Sequence, residues 1–269
     1  MAGLVKLPLP AIGGLGVGII ALHNLMDGRL FEWAGSLGQG FGADLWRIVY
    51  MGFWAGPVTV GEAGPTLVVL YSIVPWIGVM AAGYAFGAIL RLEPARRDRL
   101  CLAIGGGATA LFLVLRGFNL YGDPNPWAAG DGAPALLSFL NATKYPASLS
   151  FLLMTLGPTI ALIPLLERAR GALARWLTVF GRVPFFFYVL HIPLIHLMAL
   201  AVARVRTPEA TWWLFTNHPM GNPPAPDGYR WSLALLYGVW LAATVILYFA
   251  CRWFADLKTR RSEWWLKYL

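Results

Sequence analysis

The chain has 269 residues, of which 58% are hydrophobic and only 13% charged, and its mean hydropathy is +0.61. Soluble domains carry about 25% charged residues, so this composition excludes a water-soluble globule of this size. The net charge of +8 does not indicate a nucleic-acid-binding protein, because the basic residues lie in short clusters between apolar runs. The sequence predicts a single transmembrane domain over residues 1–269, with the lipid bilayer as its main partner.

Six runs of mostly apolar residues are long enough to cross the hydrocarbon core of a membrane as helices, which takes about 20 residues each. The first run resembles a signal peptide, but no cleavage site follows it, so we expect an uncleaved span. The predicted fold class is therefore an all-α, polytopic transmembrane helical bundle with about six spanning helices. The runs are Pro8–Leu25, Thr66–Leu90, Leu100–Leu115, Ser148–Leu166, Val179–Ala203 and Trp231–Phe254.

The distribution of Lys and Arg between these runs predicts the orientation of the chain. Fourteen of the twenty-one basic residues fall in alternate segments that include both termini, and seven fall in the segments between them. Cytoplasmic loops carry the excess of Lys and Arg. We therefore expect an integral membrane protein with both termini in the cytoplasm.

Glycine, proline and one amphipathic segment suggest local features. Gly105–Gly107 indicates either close helix packing, which we favour, or a broken helix beside a cavity. Pro75 and Pro193 are expected either to kink their helices or to free a backbone carbonyl for a ligand. Ala43–Phe53 has apolar residues at nearly helical spacing and is expected to lie flat at the membrane interface.

Two ionisable side chains in the fifth run are candidates for catalysis. His191 falls near the middle of the membrane, where burial disfavours the imidazolium and leaves a neutral ring that can act as a base. Tyr188 lies on the same helical face. The alternative for His191 is a structural hydrogen bond to a neighbouring helix. His196 lies on another face, so the two histidines are not expected to share a metal ion, and no metal site is predicted.

A dense polar group stands at the outer end of the third and fourth runs. Asn119, Asp123, Lys144 and Tyr145 are candidate substrate-binding residues at this mouth, and Arg116 precedes them. A turn anchored by Asp123 and the following proline explains part of the pattern. The residues His23, Asn24 and Asp27 end the first run and have the simpler interpretation of a polar helix cap.

Arginines on the predicted inner side are candidates for binding the phosphates of a nucleotide-bearing donor. The candidates are Arg96, Arg97, Arg99 and Arg182, because guanidinium groups bind phosphates, although inner-side loops are basic in any case. Nucleotide-binding and zinc-protease motifs are missing from the sequence. Cys101 and Cys251 lie at the edges of apolar runs and are interpreted as apolar filler.

Several strings resemble one family, the bacterial heparan-α-glucosaminide N-acetyltransferase-like membrane proteins, and together they cover nearly the whole chain. The resemblance implies a membrane-bound acyltransferase that uses acetyl-CoA or another acyl-CoA. Members of that family begin with further spans that carry the catalytic histidine, so this chain is similar to their C-terminal portion, through a miscalled start or a fragment. The matching strings are Tyr71–Tyr84, Asn119–Pro124, Ser138–Pro146, Thr155–Pro158, Phe180–His191, Cys251–Phe254 and Trp264–Leu269.

The predicted function is transfer of an acyl group from an acyl-CoA to a glycan or a lipid-linked sugar. His191 and Tyr188 would act in catalysis, and the arginines would hold the donor. A homodimer is left open, and no nucleic acid is expected as a partner. Two other classes stay open at this point: a transporter or flippase, and a non-catalytic membrane remnant.

Overall fold

The computed structural model describes residues 3–27, 36, 40–51, 58–59, 64–69, 71–130, 132, 134–216, 223–261 and 263–267. Within these ranges the regular structure is helical apart from one two-stranded sheet, so the prediction of a helical membrane protein is confirmed. Arg29, residues 52–53 of the expected interfacial segment, and residues 268–269 lie outside the described residues.

The α-helices, in chain order, are α1 Leu9–Leu22, α2 Phe41–Trp46, α3 Ile73–Ile89, α4 Pro94–Gly117, α5 Ala135–Leu140, α6 Leu149–Arg168, α7 Ala172–Arg182, α8 Pro184–Arg206 and α9 Leu233–Arg260. Short 3-10 turns form at Leu4–Lys6, His23–Met26, Pro208–Phe215 and Trp264–Lys267, and a π-helical turn forms at Arg47–Met51. Strands β1 Val58–Thr59 and β2 Thr66–Leu67 pair antiparallel, with Val58 opposite Leu67.

Five helical segments in the described part of the chain are long and apolar enough to cross a membrane: Leu9–Met26, α4, α6, α8 and α9. Helix α3 is apolar but has only 17 residues. Most large apolar side chains on these helices face outward, and in the most apolar stretch of α8 none is buried. An apolar exterior of this extent requires lipid as its solvent. The protein is therefore an integral membrane protein with about five spans.

The boundaries of several helices differ from the prediction. The fifth run, Val179–Ala203, is divided by a break at Val183 between α7 and α8. The run predicted from Thr66 is a strand at Thr66–Leu67, and α3 begins only at Ile73. Pro75 lies in the first turn of α3, where its missing N–H has no helical partner to lose, so the predicted kink at this residue is wrong. Helix α4 is 24 residues long, because the charged segment before the apolar run is also helical.

The chain forms two compact units, residues 1–168 and residues 169–269. In the first unit α1 packs against α3, and α4 packs against α6. A Cβ atom built on Gly105 would lie 2.3 Å from the backbone nitrogen of Ala161, so the backbones of α4 and α6 touch there. The predicted close packing is confirmed at Gly105, whereas a Cβ on Gly106 or Gly107 would meet nothing within 4 Å.

In the second unit α9 packs against α7 and α8. The phenyl ring of Phe254 stacks on that of Phe186 with a centroid separation of 4.1 Å. This stack belongs to a small apolar core that ties the helices to the last 3-10 turn. Its fully buried members are Val183, Cys251, Phe254, Ala255 and Leu266.

Candidate functional site

Buried polar side chains gather at one end of the first unit, where α1 and α4 end and α6 begins. Five of them are no more than 8% exposed, and the Asp123 side chain is 5% exposed. Burying polar groups in a membrane protein is costly unless they are hydrogen-bonded, and such groups often mark functional sites. This group, named the polar cluster below, consists of His23, Asn24, Asp27, Tyr50, Arg116, Asp123 and Ser148.

The polar cluster satisfies the first turn of α6, whose backbone N–H groups have no partners within the helix. The amide oxygen of Asn24 accepts the N–H of Leu149 at 2.7 Å, and the hydroxyl of Ser148 accepts the N–H of Phe151 at 3.1 Å. The N–H of Ser150 donates to the carbonyl of Gly122 at 2.8 Å. The first turn of α6 is therefore capped in part by Asn24, which lies in the 3-10 turn that follows α1. This cap joins the end of α1 to the start of α6.

His23 makes a second connection between the same two elements. Its Nε2 lies 2.8 Å from the carbonyl oxygen of Ala147, and its Nδ1 lies 3.0 Å from the carbonyl oxygens of Ile19 and Ile20. Carbonyl oxygens only accept hydrogen bonds, so each ring nitrogen that carries a proton donates to the carbonyl oxygen beside it. These contacts connect the end of α1 to the residue that precedes Ser148 and α6.

Asp27 is the part of the polar cluster that keeps some exposure. One carboxylate oxygen accepts the amide N–H of Asn24, and the other lies 3.3 Å from the hydroxyl of Tyr50. Burial raises the pKa of the Asp27 carboxyl and the charge of Asp123 adds to the rise, while the hydrogen bonds and His23 oppose it. A carboxyl in this setting can accept and return a proton nearer neutral pH.

Tyr50 is the buried aromatic residue next to Asp27. It is completely buried, its ring stacks on Trp46 with centroids 5.1 Å apart, and its hydroxyl lies 2.8 Å from the carbonyl oxygen of His23. Burial, with the charge of Asp27 as a further cause, strongly raises the pKa of the Tyr50 phenol. Tyr50 therefore stays protonated and acts as a hydrogen-bond donor.

Arg116, at the end of α4, is buried and fixes the segment between α4 and α6. Its side chain is 3% exposed, and Nη1 lies 3.5 Å from Oδ2 of Asp123. The guanidinium also donates to four carbonyl oxygens at 2.7 to 3.4 Å, which a planar fork of donors suits well. These carbonyls belong to Asn125, Ser138, Phe139 and Asn141.

The carboxylate of Asp123 is fully engaged by protein groups. Oδ1 accepts the backbone N–H of Asn125 and the hydroxyl of Thr143, and Oδ2 accepts the backbone N–H of Thr143 and the hydroxyl of Ser148. Together with Arg116 these donors compensate the buried charge. Asp123 therefore shapes the site, and its contact with a substrate stays a prediction.

The other predicted mouth residues lie on the same segment but make different contacts. Asn119 exchanges two hydrogen bonds with the backbone of Trp127. Lys144 is exposed, with Nζ 5.2 Å from the ring centroid of Tyr145. A hydrogen bond with Tyr71 lowers the pKa of the Tyr145 phenol, and Lys144 contributes in the same direction. Lys144 thus presents an exposed cation, whereas the phenol of Tyr145 interacts with Tyr71 and Lys144.

A small polar cavity of about 80 Å³ opens beside the polar cluster. Arg116, Asn119, Tyr121 and Asp123 line it together with Ser150. The Ser150 hydroxyl is buried and, among the described residues, has no hydrogen-bond partner. A buried hydroxyl of this kind calls for an outside partner, and the volume suits a water molecule or one hydroxyl or amine group of a ligand.

The predicted donor arginines are not equivalent. Arg97 forms ion pairs with Asp98 and Glu167, which neutralise it, whereas Arg96 is exposed. Both belong to the first unit, whereas Arg182 lies at the end of α7 in the second. Arg97 is therefore a weaker candidate for phosphate binding than its sequence position indicated.

The predicted catalytic pair is brought together on α8. The Nδ1 N–H of His191 donates to the carbonyl oxygen of Tyr188 at 2.5 Å, and the imidazole stacks on Phe187 with centroids 5.5 Å apart. The Tyr188 side chain is exposed. All of these contacts come from α8 itself. The described contacts of His191 therefore do not include the hydrogen bond to a neighbouring helix that was the predicted alternative. The catalytic role of His191 and Tyr188 stays a prediction.

Sequence reasoning missed Tyr50 and underrated Asp27. Tyr50 belongs to an amphipathic segment whose tyrosine looks like an ordinary interfacial anchor. Asp27 looked like a helix cap. Its partner Asn24 is three positions away, but Tyr50 is 23 positions away and Asp123 is 96. The pairing of Trp46 and Tyr50 at i and i+4 was the one local signal for a buried aromatic pair.

Comparison with protein-family models, with curated proteins and with solved structures finds no match to this chain. Within the described ranges, no three His, Cys, Asp or Glu side chains lie close enough together to hold a metal ion. The geometry of the polar cluster, on the end of an integral helical membrane protein, is therefore the basis for a functional proposal.

Proposed function

We propose that the chain is an integral membrane acyltransferase-like protein that transfers an acyl group, such as acetyl, from an acyl-CoA to a hydroxyl or amine of a glycan or lipid-linked sugar. The observation that carries the proposal is Asp27, a partly exposed carboxyl whose pKa is raised by burial. A carboxyl whose pKa lies above the ordinary value binds a proton more strongly and is therefore a better general base. The sequence resemblance supplies the type of reaction.

In the proposed reaction Asp27 accepts the proton of the acceptor hydroxyl or amine. The freed electron pair attacks the thioester carbonyl, a C–O or C–N bond forms, and the C–S bond breaks. The proton finally passes to the sulfur, and coenzyme A leaves as the thiol. Tyr50 and Asn24 hold the Asp27 carboxyl in position, and the cavity beside Ser150 is suited to a second hydroxyl of the acceptor.

The predicted orientation gives this arrangement a direction. Counting α3 with the five longer segments gives an even number of spans, which agrees with both termini in the cytoplasm and puts the polar cluster on the opposite face of the membrane. An acceptor glycan on that face would meet Asp27, Lys144 and Tyr145, while the donor would enter from the cytoplasm. Within the first unit, Arg96 is the stronger and Arg97 the weaker proposed contact for its phosphates.

Radiolabelled acetyl-CoA tests the proposal with the purified full chain in nanodiscs and a bacterial lipid and glycan extract as acceptor. We expect label to enter the acceptor and Asp27→Asn to lower the rate by about 100-fold or more, the usual contribution of a general base. Asp44→Asn is the matched control, because Asp44 lies in the same outer segment but pairs with Arg47. We expect that control to keep the original rate.

Two results would contradict the proposal. Full activity in Asp27→Asn, with activity lost in His191→Ala, would move the base to α8. Absence of transfer in every preparation that remains folded would favour the non-catalytic alternative.

A further inference from the structure

We propose that the second unit binds a phosphate group in an arginine-lined cavity along α7. The cavity has a volume of about 450 Å³, and its lining includes three arginines, Arg170, Arg175 and Arg182, together with Gly171 and Thr178. Nothing in the proposed acyl transfer at Asp27 requires this cavity, so the two proposals stand or fall separately.

Two of the arginines lack the carboxylate partners that some other arginines of this protein have. Arg116 and Arg168 each lie within 3.5 Å of an aspartate oxygen. Within the described part of the chain, Arg175 and Arg182 have no carboxylate within 4.0 Å and make no side-chain hydrogen bond. Their positive charges are therefore uncompensated by the protein and face the same cavity.

The structure of α7 explains why these charges stay on one side. Trp176 and Phe180 cover the opposite side by packing on Tyr248, with ring centroids 5.3 and 6.1 Å apart. Arg175 and Arg182 are separated by two turns, or about 10 Å along the axis. Arg175 also lies in the first turn of α7, where the helix dipole disfavours a cation. An anion bound between the two arginines would offset the repulsion between their charges. It would also offset the unfavourable interaction of Arg175 with the helix dipole.

A phosphate is the anion that this arrangement suits best. Guanidinium groups bind phosphate oxygens through two parallel hydrogen bonds, and these charge-assisted bonds are stronger than neutral ones. The volume exceeds that of bare phosphate and accommodates a larger molecule that carries one. Two sources share this chemistry: a soluble nucleotide such as the phosphorylated end of coenzyme A, and the headgroup of an anionic phospholipid.

The test uses the full chain and two probes that distinguish these sources. Adenosine 3′,5′-bisphosphate binding is measured by calorimetry in neutral detergent. Retention of phosphatidylglycerol is measured by native mass spectrometry after release from nanodiscs of phosphatidylcholine and phosphatidylglycerol. The test variant is Arg175→Gln with Arg182→Gln. The control is Arg252→Gln with Arg260→Gln, which removes the same charge from exposed positions of α9.

We expect the test variant to bind one of the two probes about tenfold more weakly or worse, as loss of charge-assisted hydrogen bonds implies. The control should bind within about twofold of the original protein, because distant exposed charges are screened. Loss of bisphosphate binding assigns the cavity to a soluble ligand, and loss of lipid retention assigns it to a headgroup. Equal losses in the two variants, or no binding of either probe by the original protein, would overturn the proposal. The arginines are exposed, so thermal unfolding should be unchanged in both variants.

Discussion

Substitution of Gly105 by alanine tests the packing that holds the first unit together. The added Cβ would lie 2.3 Å from the backbone nitrogen of Ala161, 2.6 Å from the carbonyl oxygen of Gly157 and 2.8 Å from the Cα of Ala161. Carbon atoms in good contact are about 3.5 to 4.0 Å apart, so α4 and α6 must separate by about 1 Å. All three atoms belong to the backbone and cannot move aside alone.

Gly106→Ala is the matched control, because a Cβ there meets nothing within 4 Å. Alanine is favoured over glycine in a helix by about 1 kcal/mol, and both variants share that gain. The difference between them therefore isolates the packing term, which for overpacking is about 1 to 3 kcal/mol. Reversible unfolding in mixed micelles, followed by circular dichroism, measures the difference. Equal stability of the two variants would refute the close approach of α4 and α6.

Three further outcomes are expected. Arg116→Met removes the counter-ion of the buried Asp123 carboxylate and should lower the free energy of unfolding by about 3 to 5 kcal/mol; no loss in denaturant titrations would contradict the buried ion pair. Asp27→Asn should stabilise the protein at neutral pH. The pKa of the Asp27 carboxyl is raised in the folded state, so the original protein loses stability as the pH rises from the ordinary pKa of aspartate through the raised pKa. The gain should vanish in thermal scans at acid pH, and a gain that persists there would contradict the titration. Phe254→Ala should cost about 3 to 5 kcal/mol, whereas Phe249→Ala, which removes an exposed ring, should cost little in the same unfolding assay.

The helices could largely be predicted from the sequence, because spanning a membrane takes a long apolar run whatever surrounds it. The errors fall at the ends of the runs. Thr66–Leu67 is apolar enough to extend a predicted span, but its backbone pairs with Val58–Thr59 instead. The charged residues from Pro94 onward depress hydropathy although they continue a helix. Hydropathy indicates whether a segment lies in lipid or in water. It does not indicate how the backbone of that segment is hydrogen-bonded.

The polar cluster was only partly predictable, for a physical reason. Arg116, Asp123, His23, Asn24 and Asp27 attract notice because polar residues beside apolar runs are costly. Their partners are far apart in the sequence: His23 contacts Ala147, 124 positions away. Local patterns report the cost of a buried polar group but do not identify the group that compensates it. That identification needs the packing of α1 on the start of α6.

Glycine illustrates the same limit within one motif. Gly105, Gly106 and Gly107 are indistinguishable in sequence, yet only the first is close to another backbone. Successive residues of a helix are about 100° apart around its axis, so one glycine of a triplet can face a neighbouring helix while the others face lipid. Which one does so depends on the rotation of α4, which α6 determines.

Titration of the Asp27 carboxyl tests the central claim most directly. Infrared difference spectroscopy detects the C=O stretch of a protonated carboxyl, and the Asp27→Asn variant identifies the band that belongs to Asp27. We expect this band to persist above the pH range in which an ordinary aspartate, with a pKa of 3.8, loses its proton. An Asp27 band that disappears at the ordinary value would contradict the burial of this carboxyl and its proposed role as a base.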